Sequence, residues 1–198
     1  MMNVIDSFPL TGLSGSIPDS PQYITLSNIT LRWKPSCEEW IGYAWAGKFS
    51  LAVAIGNPDT KQKIIQNINN AMIDFPTLIH PSAMMGNNEY LKIGRGCIIC
   101  AGCIVTTNIE IKDFVILNLA CTVGHDTRIG NYASFMPSCN ISGEVNIDDC
   151  VYCGTGVKII NRIEIGEYSI IGAGAVVVRD VEPNTVVAGV SAKVIKRK

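Results

Sequence analysis

The sequence predicts a mainly β protein: a parallel solenoid of short stacked strands, preceded by a small α/β region. Two observations lead to this. An aliphatic or similar residue recurs at every sixth position, and the residue four places later is small or β-branched each time. A period of six fits neither an α-helix nor a strand of simple alternation, so it indicates short strands joined by tight turns and stacked in parallel. The fifteen repeated aliphatic positions are Ile93, Ile99, Val105, Ile111, Leu117, Val123, Ile129, Phe135, Ile141, Ile147, Cys153, Ile159, Ile165, Ile171 and Val177.

The segment before the repeat has two other patterns. Leu51–Asn57 is an apolar run that ends in Gly-Asn, which predicts a buried strand followed by a turn. Thr60–Met72 carries its isoleucines at helical spacing and is predicted to be a helix. We therefore expect an α/β domain over residues 1–74 and the solenoid over residues 75–198, with an irregular first coil beginning at 79–83.

Composition narrows the function classes. The chain of 198 residues is 47% hydrophobic, which provides enough apolar material for a core. Its net charge of −1 gives no electrostatic reason to expect a nucleic-acid partner. No apolar run approaches the roughly 18 residues of a membrane span, and the first residues lack the pattern of a signal peptide. We expect a cytoplasmic protein that binds neither nucleic acid nor membrane.

The hexads resemble the motif of the hexapeptide-repeat acyltransferases, and the resemblance covers roughly residues 50–198. Within that family the chain is most similar to the sialic acid O-acetyltransferase and bacillosamine N-acetyltransferase group. The segments that carry this similarity are Phe75–Ala83, Val115–Asn118, Val123–Asp126 and Gly189–Lys193. In that family three hexads form one triangular coil. The resemblance therefore implies a left-handed parallel β-helix of about five to six coils, with residues 18 apart stacked on one another.

The same resemblance implies what the N-terminal region does. Members of the group open with a small Rossmann-like domain that binds the acceptor. The first 50 residues here contain no Gly-rich loop after a strand, and Leu13–Ser16 is predicted to be only a turn. We therefore expect a remodelled or truncated Rossmann-like domain. Its end, at Gly56 and Asn57, resembles the family and is where we expect contacts to the acceptor.

His125 is the candidate catalytic base. Acyl transfer to a hydroxyl or amine needs a group that removes the acceptor's proton, and a neutral His can do so near pH 7. The chain has two histidines, and His125 sits next to a predicted turn, immediately before Asp126. An adjacent carboxylate can fix the imidazole tautomer and stabilise the imidazolium. The family has its catalytic His and an acidic neighbour at the matching positions. His80 lies beside Pro81 at the domain junction, and we interpret it as structural.

Stacking adds Gly143, which lies 18 residues after His125 and should flank it on the next coil. A glycine there permits close approach of the acyl group, and its N–H could polarise the thioester carbonyl. The family also has an asparagine at the position of Asn118, near the acceptor and near the catalytic His of a neighbouring subunit. The resemblance therefore implies a homotrimer with its sites between subunits.

The expected co-substrate is acetyl-CoA, with no metal. Thr155 and Ala173 are 18 residues apart, stand between glycines, and should line one edge of a CoA groove. The segment that ends at Lys193 resembles the family's terminal motif, so Lys193 is a candidate partner for CoA phosphates. The acceptor is expected to be a small molecule, a sugar or nucleotide sugar, acetylated on an amine or a hydroxyl.

Cysteine spacing has a simple explanation. Cys103, Cys121 and Cys139 are 18 residues apart at the small inward position, so they should form a buried column. The C-x-x-C pairs superficially resemble zinc sites, but their members fall on different hexad positions.

Other function classes are also compatible with a β-solenoid. A γ-type carbonic anhydrase has the same β-helix but needs three zinc-binding histidines, and this chain has two. A non-catalytic β-solenoid scaffold or sugar-binding module stays open as the alternative.

Overall fold

A computed structural model describes residues 49–68 and 70–198 and, earlier in the chain, three strands. The described residues fall into two compact units. One contains the strands before residue 51 together with residues 70–74, and the other contains residues 51–68 and 75–198.

The first unit contains two small sheets. Three strands form an antiparallel sheet: Tyr23–Leu26, Ile29–Arg32 and Ile41–Ala44. Phe49–Ser50 pairs in parallel with Ile73–Asp74. The predicted turn at Leu13–Ser16 lies outside the described residues, as does most of the expected Rossmann-like domain, which stays a prediction.

The second unit is a parallel β-solenoid with three sheets, here called faces A, B and C. Face A consists of Leu78–Ile79, Ile98–Ile99, Ile116–Leu117, Ser134–Phe135, Tyr152–Cys153, Ile170–Ile171 and Thr185–Ala188, with Lys193–Arg197 added antiparallel at its end. Face B consists of Met84–Met85, Ile104–Val105, Thr122–Val123, Asn140–Ile141, Lys158–Ile159 and Val176–Val177. Face C consists of Leu91–Ile93, Ile109–Ile111, Arg128–Ile129, Asn146–Ile147 and Glu164–Ile165.

The strand register confirms the stacking by three hexads. Thr122 pairs with Ile104 on one side and with Asn140 on the other, 18 residues away each time. The result is a solenoid of about six turns, as expected. The first coil is longer, because Leu78 pairs with Ile98 and a short 3₁₀ helix, Asn88–Tyr90, takes up extra residues.

The hexad pattern forms the core. Each of the fifteen repeated aliphatic positions is the last residue of a strand, and all except the half-buried Ile93 are buried. The small residues four places later are buried as well. Two inward positions per hexad therefore fill the prism, which explains why the sequence alternates so regularly between large and small apolar residues.

Each corner of the prism contains a residue in the left-handed backbone conformation, at every sixth position from Gly96 to Gly174. We name the corners by the faces that they join in chain order. The AB corner includes residues 118–120, the BC corner includes residues 124–126, and the CA corner includes residues 130–132. Residues 18 apart occupy equivalent places on the same corner.

A helix at Pro58–Asn67 packs on face A. The Asn57 side chain caps it by accepting the Thr60 N–H at 2.9 Å, and Pro58 occupies its first turn. Lys61 is buried beneath it and donates from Nζ to the Ser134 hydroxyl at 2.8 Å. No helix in the described ranges has the length and apolar character needed to cross a bilayer.

Two local predictions for this region need correction. Leu51–Asn57 forms no strand; it is an extended segment with alternating half-buried and exposed residues and no ladder partner. The helix begins at Pro58 instead of Thr60, because the proline and its cap pre-organise the start, and it ends at Asn67 instead of Met72. Met72 lies beyond the end of the helix and is 42% exposed, although its spacing in the sequence continues the helical pattern.

Candidate functional site

His125 and Asp126 lie together on the BC corner. The two atoms His125 Nδ1 and Asp126 Oδ2 are 2.7 Å apart, and 57% of the His125 side chain is exposed. Because an ionised carboxylate can only accept, Nδ1 is the donor in this contact, and in the neutral imidazole Nε2 then carries the lone pair. In that form Nε2 can take a proton from a bound acceptor.

Asn108 contacts this pair and was not predicted from the sequence. It lies one coil before Asp126 on the same corner, and its side-chain amide donates to Asp126 Oδ1. The hydrogen bond from Asn108, followed by that from His125, holds the pKa of Asp126 below its ordinary value. Each carboxylate oxygen thus has one donor. The spacing of 18 residues between Asn108 and Asp126 was the signal that could have revealed it.

Gly143 lies against the imidazole from the next coil. A Cβ placed on Gly143 would stand 2.5 Å from His125 Nε2, so the ring covers the glycine Cα. The Glu144 N–H donates to the His125 carbonyl at 2.7 Å and ties the two coils together. Within the described part of the chain, the Gly143 N–H has no protein acceptor. The structure therefore brings together a candidate base and a candidate oxyanion donor.

A shallow groove of about 600 Å³ begins at this corner and runs over face C. Asp126, Glu110 and Arg128 are among its lining residues. Glu144 also lines the groove and forms an ion pair with Arg162, whose Nε lies 3.0 Å from Glu144 Oε2. The surroundings of His125 are thus polar and open to solvent.

The predicted CoA-binding residues lie on the AB corner. Thr155 and Ala173 are exposed on adjacent coils, and the Gly174 N–H donates to the Thr155 carbonyl at 2.8 Å. A Cβ on Gly174 would meet nothing within 4 Å. The left-handed corner position is small throughout: Gly102, Ala120, Ser138, Gly156 and Gly174. Around Thr155 and Ala173 this corner therefore has no large side chain at its left-handed positions.

Asn118 also lies on the AB corner, where it is half-buried and its Oδ1 accepts the Leu119 N–H at 2.8 Å. Within one chain, face B separates this corner from His125, so the two sets of predicted site residues do not meet. Lys193 is exposed in the last strand.

Gly56 and Asn57 have packing and capping contacts. The Asn57 side chain is the helix cap already described, and a Cβ on Gly56 would lie 3.3 Å from the Met136 methyl carbon. Met136 follows Asn118 by one coil on the AB corner. A role for Gly56 and Asn57 in acceptor binding stays a prediction.

The seven cysteines of the described residues are buried and unpaired, and Cys37 lies outside the described ranges. The thiols of Cys103, Cys121 and Cys139 each donate to a carbonyl 15 residues further on, at 3.1–3.3 Å. They form the expected inward column. The described residues contain no group of three or more His, Cys, Asp or Glu that could hold a metal ion.

No family model matches the chain. It is 33% identical over 122 residues to the GDP-perosamine N-acetyltransferase of Escherichia coli O157:H7, which covers 62% of this chain and 54% of that relative. The chain therefore spans about half the length of this curated relative.

Two solved structures are similar over most of the chain. PerB from Caulobacter crescentus, in complex with CoA and GDP-perosamine, has a TM-score of 0.71 and 31% identity, covering 74% of this chain and 70% of that one. The acetyltransferase domain of PglB from Neisseria gonorrhoeae, in complex with acetyl coenzyme A, has a TM-score of 0.69 and 33% identity, covering 74% and 71%. Together with the six-residue repeat, these similarities show that the chain belongs to the hexapeptide-repeat acyltransferases.

Proposed function

We propose that this protein is an acetyl-CoA-dependent N-acetyltransferase that acts on the amine of a nucleotide-linked sugar, with His125 as the general base. The observation that carries the proposal is the His125–Asp126 pair at 2.7 Å, in which Nε2 of the exposed imidazole lies beside Gly143. PerB, which was solved with CoA and GDP-perosamine, supports the co-substrate and the acceptor class.

His125 Nε2 removes a proton from the acceptor amine as the amine nitrogen attacks the thioester carbonyl. Asp126 keeps the proton on Nδ1 and stabilises the imidazolium. The Gly143 N–H donates to the carbonyl oxygen as negative charge develops on it. The C–N bond forms, the C–S bond breaks, and the proton on Nε2 passes to the departing sulfur. The products are the amide and free CoA.

The AB corner fits the extended co-substrate. Its edge at Thr155 and Ala173 has no bulky side chain, because the flanking left-handed positions are Gly156 and Gly174. Lys193, exposed in the last strand, adds a cationic group for phosphate. Thr155, Ala173 and Lys193 are therefore the residues that would hold CoA.

The complete site requires a second copy of the chain. His125, Asp126 and Gly143 lie on the BC corner, whereas Thr155 and Ala173 lie on the AB corner across face B. A symmetric homotrimer of left-handed prisms would place the AB corner of one subunit beside the BC corner of the next, with Asn118 directed at the neighbouring His125. A monomer in light scattering at assay concentrations would contradict this assembly.

The test is transfer of acetyl from acetyl-CoA to GDP-perosamine and to other nucleotide-linked amino sugars, with product detected by mass spectrometry. Mass detection avoids thiol reagents, which would react with the protein's own cysteines once it unfolds. We expect His125→Ala to lower kcat by about 10²–10⁴-fold with little change in melting temperature. Full activity of His125→Ala would exclude His125 as the base.

The same assay separates the alternatives. Acetylation of hydroxyl sugars, with amino sugars unreacted, would indicate O-transfer by the same residues. Absence of transfer to either class, together with no thermal stabilisation by acetyl-CoA, would favour the non-catalytic scaffold or sugar-binding module.

A further inference from the structure

One buried hydroxyl interrupts an otherwise aliphatic column behind the candidate site. On the BC corner, the inward residues that follow the repeated aliphatic positions by four places are Ile109, Thr127, Val145, Ile163 and Val181. All are buried, and Thr127 has 0% exposure. The aliphatic members show that this position needs no hydroxyl to form its turn. A buried polar group that the fold does not need calls for a different explanation.

The Thr127 hydroxyl is directed at the peptide unit between Ser142 and Gly143. Thr127 Oγ1 is within donating distance of two carbonyls, that of Ser142 at 3.2 Å and that of His125 at 3.4 Å. The contact to Ser142 is shorter, and the His125 carbonyl already accepts the Glu144 N–H at 2.7 Å, so we assign the hydroxyl hydrogen to Ser142. Among the described residues, it is the hydrogen-bond donor to the Ser142 carbonyl. The peptide is also confined on one side by Gly124, where a Cβ would lie 2.6 Å from Gly143 N.

The two ends of this peptide unit point in opposite directions. In a trans peptide the carbonyl and the N–H are antiparallel, so a Ser142 carbonyl held inward directs the Gly143 N–H outward. Gly143 is the residue covered by the His125 ring. A hydrogen bond to the carbonyl also polarises the amide and strengthens its N–H as a donor.

We propose that Thr127 is a positioning residue that fixes and polarises the Ser142–Gly143 peptide, so that the Gly143 N–H is held ready to stabilise the oxyanion. This inference rests on the proposed acyl transfer. It assigns a function to a residue that touches neither substrate and lies inside the prism.

Thr127→Val is the direct test, because valine replaces the hydroxyl with a methyl of similar size and Val145 occupies the same position one coil later. We expect kcat to fall about 3-fold to 10-fold with KM for acetyl-CoA and acceptor unchanged, because the lost interaction acts only as charge develops. Thr127→Ser should restore kcat, since serine retains the donor.

Cys97→Val is the matched control. The Cys97 thiol donates to the Lys112 carbonyl, also 15 residues on, at 3.1 Å, and lies on the CA corner. Val115 and Val151 occupy the same column as Cys97. We expect unchanged kcat and KM. Wild-type kcat in Thr127→Val, or equal losses in Thr127→Val and Cys97→Val, would overturn the proposal.

A second readout does not depend on turnover. In ¹⁵N-glycine-labelled protein, Thr127→Val should move the Gly143 amide proton resonance upfield, and Cys97→Val should leave it in place. An unmoved Gly143 resonance would contradict the positioning role. If the resonance moves but wild type transfers no acetyl group, the proposed function fails while the positioning geometry stands.

Discussion

The BC and CA corners are built from the same hexad but treat one backbone N–H differently. On the CA corner, side chains cap these groups from coil to coil. The N–H of Arg95 donates to Asp113 Oδ1 at 3.1 Å, that of Asp113 to Asn131 Oδ1 at 3.2 Å, and that of Asn131 to Asp149 Oδ1 at 2.7 Å. On the BC corner the equivalent N–H of Gly143 has no such cap in the described chain. The repeat supplies the N–H on both corners, and on the CA corner an aspartate or asparagine side chain one coil later accepts it.

Packing follows the same division. The CA corner is covered by rings: Phe75 meets Phe114 edge-on at 5.2 Å, Tyr132 stacks on Phe114 at 5.5 Å, and the Arg95 guanidinium lies 5.5 Å from the Phe114 ring centre. The BC corner holds the exposed His125 instead. The CA corner is therefore closed by packed rings, whereas the BC corner exposes an imidazole next to a glycine.

Gly143→Ala should have the largest effect. The new methyl would occupy the space of the His125 imidazole, 2.5 Å from Nε2, and because that ring is exposed it can swing away without unfolding the chain. We expect kcat/KM to fall about 100-fold, equivalent to about 2.7 kcal/mol, with the melting temperature nearly unchanged.

Two further variants serve as controls for Gly143→Ala. Asn161→Ala changes the equivalent position one coil later, and it should leave kcat/KM at the wild-type value. The double variant His125→Ala/Gly143→Ala should be no less active than His125→Ala, because the displaced ring is already gone. Wild-type activity in Gly143→Ala would mean that the ring does not work from its place over Gly143.

The buried side chain of Lys61 should make the free energy of unfolding depend on pH. Burial lowers the pKa of its amine to about 7, while the nearby thiols of Cys97 and Cys150 act in the opposite direction. The unfolded chain therefore binds the proton more tightly than the folded chain. The free energy of unfolding should rise by about 2 kcal/mol from pH 6.5 to 8.5 as this penalty is relieved.

Denaturant unfolding at several pH values in that window measures this slope. Toward the upper end of the window the unfolded thiols begin to ionise, and this opposes the rise because burial raises the pKa of Cys100 and Cys150 to about 11 in the folded chain. The difference between the wild type and Lys61→Met isolates the contribution of the lysine. Lys61→Met should flatten the slope, and Lys63→Met, an exposed position on the same helix, should retain it. A slope that persists in Lys61→Met would assign the titration to another group.

Asp149→Ala removes a cap on the CA corner. Asp149 accepts the Asn131 N–H and also its side-chain amide, at 3.2 and 3.0 Å to the two carboxylate oxygens. Because both donors are half-buried, we expect a loss of about 1.5 kcal/mol in unfolding free energy with kcat unchanged. A loss of activity equal to that of Gly143→Ala would mean that the two corners are not functionally distinct.

The sequence predicted the solenoid in detail because its period is set by inward packing. Every repeated aliphatic position is the last residue of a strand. A slip of one residue would turn the whole set outward, so the repeat specifies the strand register strongly. It predicted Leu51–Asn57 less well. An apolar segment can pack against other residues without a strand partner. Its composition does not distinguish that arrangement from a paired strand.

The site divides in the same way. His125, Asp126 and Gly143 could be grouped from their chemistry together with the 18-residue period, which the family resemblance implied. The capping by Asn57 and the burial of Lys61 could not, because both depend on how the helix docks on face A. Asn108 lay within reach of the period, but an asparagine at a corner is common, and only the orientation of its amide toward Asp126 distinguishes it.

Asn108→Gly should have the smallest effect, and it tests this missed member. Asn108 has φ of 54°, a conformation that glycine adopts readily, so the variant removes the amide without straining the turn. Without that donor the pKa of Asp126 rises toward its ordinary value, so the acid limb of the kcat profile should move to higher pH. At pH 7 the carboxylate is still ionised, and we expect only about a 2-fold to 3-fold loss of kcat. Asn184→Gly, at φ of 57° on a corner remote from His125, should leave the profile unchanged. An unmoved acid limb in Asn108→Gly would show that His125 alone holds the carboxylate in its ionised form, and that the open corner needs no support from the coil before it.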